Sequence, residues 1–219
     1  MLPLFITGIG TDIGKTVVAA ILAEALEASY WKPVQAGFDH GTDSQWIAER
    51  ISHPRDRIRP ETYMLSLPAS PHIAARKEGL TIDLDRIAAG LRSFSPLPDY
   101  LIIEGAGGLL APLNDTEFVI DLIKKLGVPT ILVSRNYLGS INHSLMTAAL
   151  CKAHNIPVAG WIFNDQYGHY EEDIVQWTGL PSIASIPRHE NPDSEFISSQ
   201  AENIRASLLR HLGPWLARS

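Results

Sequence analysis

Several short runs in this 219-residue chain are apolar with almost no polar interruption: LFIT (4–7), YWKPV (30–34), YLIIE (100–104), TILVS (130–134), VAGWIF (158–163) and SIASI (182–186). A strand with one wet face alternates polar and apolar residues. These runs do not alternate, so they read as strands covered on both faces, as in a parallel sheet between helical layers. Amphipathic segments separate them. One runs from about Gly14 to Ala28. DLDRIAAGLRSF (83–94) has acidic residues near its start, which suits the helix dipole. EFVIDLIKKLG (117–127) places Phe118, Leu122 and Leu126 on one stripe and ends on Gly127 as a C-cap. SINHSLMTAALCKAHN (140–155) starts with Ser140 as an N-cap. The alternation predicts an α/β, three-layer fold with a mostly parallel central sheet flanked by helices, as one domain over 1–219. Ligands of such sheets sit outside the C-terminal ends of the strands.

Composition narrows the function. Hydrophobic residues make up 45%, enough for a substantial core, and the net charge of −6 argues against a nucleic-acid binder with a broad basic surface. The one cysteine, Cys151, excludes an internal disulfide and reads as a small apolar residue on a helix. The start MLPLFITG lacks the length and positive charge of a signal peptide, and no apolar run approaches ~18 residues. A cytoplasmic protein without a membrane span is expected. The histidines (His40, His53, His72, His143, His154, His169, His189, His211) show no metal-ligand spacing, and no G-x-S-x-G is present.

The segments that follow the apolar runs carry the chemistry. After the first run comes Gly8-Ile9-Gly10-Thr11-Asp12-Ile13-Gly14-Lys15-Thr16. This reads as a phosphate-binding loop with one residue more than G-x4-G-K-[ST], which would make the fold P-loop NTPase-like, or as a glycine-rich strand-to-helix turn. Its glycines let N–H groups face phosphate, the helix start adds partial positive charge, Lys15 reaches the β- and γ-phosphates, and Thr16 suits Mg2+. Lys32 follows the second run, beside Pro33, and either faces an anion or is a surface lysine at a strand end. Asp43 opens a helical pattern as an N-cap, a functional carboxylate, or both. Glu104 ends YLIIE ahead of Gly105-Ala106-Gly107-Gly108, as a Walker B carboxylate beside the metal or as a solvated residue in a tight turn. Gly139 and Ser140 cap a helix or receive an anion there. Asn164-Asp165 forms a turn or reads an adenine edge.

Together, TGIGTDIGKT, KPVQAG, TDS, SPHIAA, EGAGGLLAPL, LGSINHSLMTA, GWIFND and IPRHENP resemble the dethiobiotin synthetase family, in order along nearly the whole chain. The resemblance implies an ATP- and Mg2+-dependent ligase that joins 7,8-diaminononanoate and CO2 through a carbamate and a carbamic-phosphoric anhydride. It implies Lys15 and Lys32 as catalytic, with Thr16, Asp43 and Glu104 holding Mg2+. Asp12, Ile13, Gly14, Lys15, Thr16 and Val17 would hold the phosphates, with Gly105, Ala106 and Gly107 close by. Asn164, Asp165, Pro187 and Glu190 would surround the adenosine. Thr11, Lys32 and Ala36 would lie at the diamine end, and Gly139, Ser140, Ile141 and Asn142 would take the substrate carboxylate from a neighbouring subunit, implying a homodimer. The family commonly has Ser or Thr at Ala36 and Glu at Asp12, so altered affinity is expected. A partitioning or septum-site ATPase would carry a lysine at Gly10, and a cobyrinate-type amidoligase would continue into a glutaminase domain. A non-catalytic paralogue is the remaining alternative.

Overall fold

The computed structural model describes residues 1–39, 41–94, 98–165 and 170–216; of the sequence features above, His40 and His169 lie outside them. The strands are β1 (Leu2–Gly8), β2 (Ser29–Trp31), β3 (Val34–Ala36), β4 (Ile58–Arg59), β5 (Tyr63–Leu65), β6 (Tyr100–Glu104), β7 (Thr130–Arg135), β8 (Val158–Asn164) and β9 (Ser182–Ile186). The helices are α1 (Lys15–Leu26), α2 (Asp43–Ala48), α3 (Pro71–Lys77), α4 (Leu84–Ser93), α5 (Val119–Leu126), α6 (Ser140–Ala153), α7 (Glu171–Thr178) and α8 (Ser194–Leu216). The main sheet has seven strands in the order β4-β2-β6-β1-β7-β8-β9, paired in parallel.

Neighbouring residues of one strand feed different cores. Leu4 and Ile6 of β1 and Ile102 of β6 join α1 and α8 on one face. Phe5, Leu101 and Ile103 join α4, α5 and α6 on the other. That two-sided burial is why the central runs carry no polar residue at alternate positions. Cys151 is buried in the second core, where burial pushes its thiol up to about 12.

Three expectations need correction. YWKPV is not one strand. Pro33 has no N–H to give the ladder, so β2 ends at Trp31, and β3 pairs with β5 in a separate two-stranded sheet. Asp43 is not the cap of α2. Thr42 is, accepting from Gln45 N at 3.1 Å while its own N–H reaches Gln45 Oε1 at 2.9 Å, a reciprocal capping box. Gly139, at φ 103°, is the N-cap of α6, and Ser140 is its first helical residue.

The loop after β1 is packed close to its neighbours. A methyl group on Gly8 would stand 2.6 Å from the Val133 carbonyl and collide with the Ile13 side chain. Gly8→Ala should therefore cost about 1–3 kcal/mol in urea unfolding by overpacking; unchanged stability would show that the loop is looser than described.

Candidate active site

Parallel register brings the charged groups to one edge. Ile6 lies opposite Glu104, and Trp31 lies opposite Ile103, so Lys32 leaves β2 at the level where β6 ends. Both residues emerge beside the loop that β1 feeds into α1. Capping by Thr42 leaves the Asp43 carboxylate free to face them.

These side chains form one cluster. The Lys32 ammonium is hydrogen-bonded to Asp43 Oδ2 and lies 3.3 Å from Glu104 Oε1. The Thr16 hydroxyl is 2.9 Å from Asp43 Oδ1 and 3.0 Å from Glu104 Oε1. Tyr30 OH donates to Glu104 Oε2 at 2.9 Å. Lys32 and Glu104 are buried, with 8% and 1% exposure, so the surface-lysine and solvated-turn readings do not describe them. Burial works against the Lys32 charge, but Glu104 and Asp43 outweigh it and its pKa is raised. Burial also works against the Asp43 carboxylate, yet Lys32 holds its pKa below the usual value. Burial, with Glu104 alongside, raises the Tyr30 phenol well above its ordinary range, so it stays a donor.

The donor set fits a hard divalent cation. The four oxygens of two carboxylates face one ammonium and the hydroxyls of Thr16 and Tyr30, which leaves oxygen lone pairs unmatched. Among the described residues no three His, Cys, Asp or Glu side chains converge. The candidate cation site comprises two carboxylates, Asp43 and Glu104, with the Thr16 hydroxyl between them.

The loop itself is tethered from outside. Arg135 Nη1 donates to the Asp12 carbonyl at 3.3 Å, and Asn164 Nδ2 donates to the Ile13 carbonyl at 2.9 Å. Asp12 adopts φ 56°, an unusual conformation for a non-glycine residue, and Gly14 adopts φ 87°. A side chain at Gly14 would run into Asn164. Lys15 donates to the Gly10 carbonyl at 2.6 Å, and burial lowers its pKa to about 8 despite the Glu104 carboxylate.

Two clefts meet at Asp12 and Gly14. The larger, about 900 Å³, is walled by Thr11, Lys15, Thr16, Lys32, Ala36, Asp43, Glu104, Ala106 and Gly107, with Ser70 and Pro71 from the SPHIAA segment. Gln35, unanticipated, also lines it, accepting from Asp43 N at 3.3 Å and donating to Gly37 O at 2.8 Å. The smaller, about 240 Å³, is lined by Val17, Asn164, Asp165, Pro187 and Glu190, all expected, and by Arg135 and His189, which were not. Arg135 pairs there with Asp165 at 3.2 Å. Gly105 and Ile13 line neither cleft: Gly105 packs on the Phe5 ring and donates to the Ile6 carbonyl, and Ile13 is buried. Gly139, Ser140, Ile141 and Asn142 also lie outside both clefts, at the start of α6.

Comparison with known proteins adds family membership. A family model described as an AAA domain matches residues 3–195. The chain is 46% identical over 205 residues to an ATP-dependent dethiobiotin synthetase BioD of Cytophaga hutchinsonii, covering 91% of this chain and 95% of that one. It is 43% identical over 185 residues to the protein of the same name from Afipia carboxidovorans, covering 84% and 86%. Among solved structures, the MinC:MinD cell division complex of Aquifex aeolicus superposes with a TM-score of 0.60 at 14% identity, covering 98% of this chain and 96% of that one. A plasmid partition protein of Borrelia burgdorferi superposes with a TM-score of 0.60 at 13% identity, covering 95% and 98%. At such identities the structural likeness concerns the fold.

The lowered Lys15 pKa has a measurable consequence. Phosphate beside Lys15 favours its charged form, so nucleotide binding at about pH 8.5 should take up protons, and affinity should fall as pH rises through about 8. Calorimetry in buffers of different ionisation enthalpy checks this, with Lys15→Met as the control. Binding with no proton uptake would contradict the assignment of the shift to Lys15.

Proposed function

The chain belongs to the dethiobiotin synthetase family and is an ATP-dependent ligase, and on that premise we propose that it converts 7,8-diaminononanoate and CO2 to dethiobiotin at the cleft around Lys32. The observation that carries this reading is the buried Lys32 ammonium held between Asp43 and Glu104, next to the phosphate loop. A cation in that position is suited to a substrate that gains negative charge and then attacks a phosphoryl group.

One amine of the diamine adds to CO2 and loses a proton, giving a carbamate. A carbamate oxygen attacks the γ-phosphorus, ADP leaves, and a carbamic-phosphoric anhydride forms. The second amine attacks the carbonyl carbon, loses a proton and expels phosphate, closing the cyclic urea. Phosphoryl transfer of this kind calls for positioning and charge neutralisation. Lys32 would bind the carbamate and Lys15 the γ-phosphoryl oxygens. Asp12, Ile13, Gly14, Thr16 and Val17 would cradle the phosphates, with the outward tethers on the Asp12 and Ile13 carbonyls holding the loop open to them. Thr16, Asp43 and Glu104 would hold Mg2+, which supplies further neutralisation of phosphate charge when bound. Ala106 and Gly107 would keep the wall of the larger cleft low, with Gly105 packed behind them on Phe5.

The smaller cleft supports the adenosine assignment. Asn164 spends an N–H on the Ile13 carbonyl and retains an acceptor oxygen for a base amino group. Asp165, Pro187 and Glu190 would complete that pocket. Thr11 and Ala36 would face the diamine. Gly139, Ser140, Ile141 and Asn142 sit away from this chain's clefts, which fits delivery of the carboxylate-binding helix start by a second copy in a homodimer.

Phosphate release from MgATP should require both the diamine and bicarbonate. Lys32→Ala should lower kcat by about 10²–10³-fold, the scale of one lost transition-state contact. ATP turnover that ignores the diamine would instead fit a switch-type ATPase. For the subunit arrangement, mixing inactive Lys32→Ala with inactive Asn142→Asp protein should restore part of the activity through hybrid dimers; no recovery would argue that each chain works alone.

A further inference from the structure

We infer that Tyr30 is a positioning residue that holds one oxygen of the Glu104 carboxylate inward so that a single oxygen faces the cleft, an inference that rests on the proposed cation site at Thr16, Asp43 and Glu104. Tyr30 lies opposite Ile102 in the β2–β6 ladder. Its side chain therefore leaves the sheet on the face shared by Ile102 and, two residues on, Glu104. That face carries α1 and the phosphate loop. The tyrosine is fully buried at 0% exposure, and its hydroxyl donates to Glu104 Oε2 at 2.9 Å.

The two Glu104 oxygens thus have separate duties. Oε2 is turned into the protein and held by Tyr30. Oε1 is turned to the cleft, 3.0 Å from the Thr16 hydroxyl and 3.3 Å from the Lys32 ammonium. A phenylalanine would fill the same space in the core. It would leave a buried carboxylate oxygen without its donor, and the carboxylate would be free to turn both oxygens onto Lys32. Lys32 would then be held more firmly where the cation is to bind. Partners that orient ligating carboxylates typically contribute 10–100-fold to metal affinity.

The test is Mn2+ binding in the presence of ADP, followed by electron paramagnetic resonance, for wild type, Tyr30→Phe, Glu104→Gln and the double variant. Tyr30→Phe should bind Mn2+ about ten-fold more weakly, with ADP affinity in the absence of divalent ion unchanged. Tyr30→Phe should add nothing further in the Glu104→Gln background, because it acts through that carboxylate. Wild-type Mn2+ affinity in Tyr30→Phe would overturn the role of Tyr30 and leave the cation site standing. An equal loss of metal-free ADP affinity, or additive effects in the double variant, would make the hydroxyl a general structural contact and also overturn it. Mn2+ binding that does not depend on Glu104 would overturn the cation site and this inference together.

Discussion

A lysine ammonium buried without anions is too costly for a protein to keep. Lys32 is buried at 8% exposure, so its environment must answer for it. Glu104 comes from the end of β6, Asp43 from the start of α2, and Thr16 from the first turn of α1. Each of these elements has to be in place for the cluster to balance its charge. Removing one partner of such a buried pair typically destabilises by about 3–5 kcal/mol, because the remaining charge is stranded. The pair is a weak source of net stability and a strong constraint on arrangement. It fixes the spacing of the second strand, the Glu104 carboxylate and the first turn of α1, which carries Thr16.

The sheet explains why the charges meet at one edge. Its central strands are apolar on both faces, so polar side chains are excluded until the strand ends. At that edge the loop with one additional residue is tied by Arg135 and Asn164, from neighbouring strands β7 and β8. Asp12 turns the loop there in a left-handed conformation. Lys15 and Thr16 nonetheless open α1, with Gly14 as its N-cap.

Much of this was legible in the amino-acid sequence because it depends on local pattern. The uninterrupted apolar runs marked the central strands, and Gly14-Lys15-Thr16 and Glu104 stood where strand ends require them. The signature Thr42-x-x-Gln45 was equally visible, and reading it would have identified the cap of α2 and released Asp43 for the cleft. β4 and β5 were not legible: they span two and three residues, and Met64 in β5 is half exposed. Pro33 signalled a break, but pairing of β3 with β5 is decided by a segment almost thirty residues away. Tyr30, Gln35 and Arg135 escaped notice for a related reason. Their partners are set by cross-strand register and by loop return, and neither is written in the spacing of the residues themselves.

On the proposed function, a cation held by Thr16, Asp43 and Glu104 takes the place of the Lys32 ammonium between the two carboxylates and frees Lys32 for the substrate. Anomalous diffraction from crystals grown with Mn2+ and ADP tests it most directly. A single peak among Thr16 Oγ1 and the Asp43 and Glu104 carboxylates, with the Lys32 ammonium swung off Asp43 into the larger cleft, is the predicted result. A metal peak elsewhere, or Lys32 still bridging the two carboxylates with nucleotide and metal bound, would contradict it.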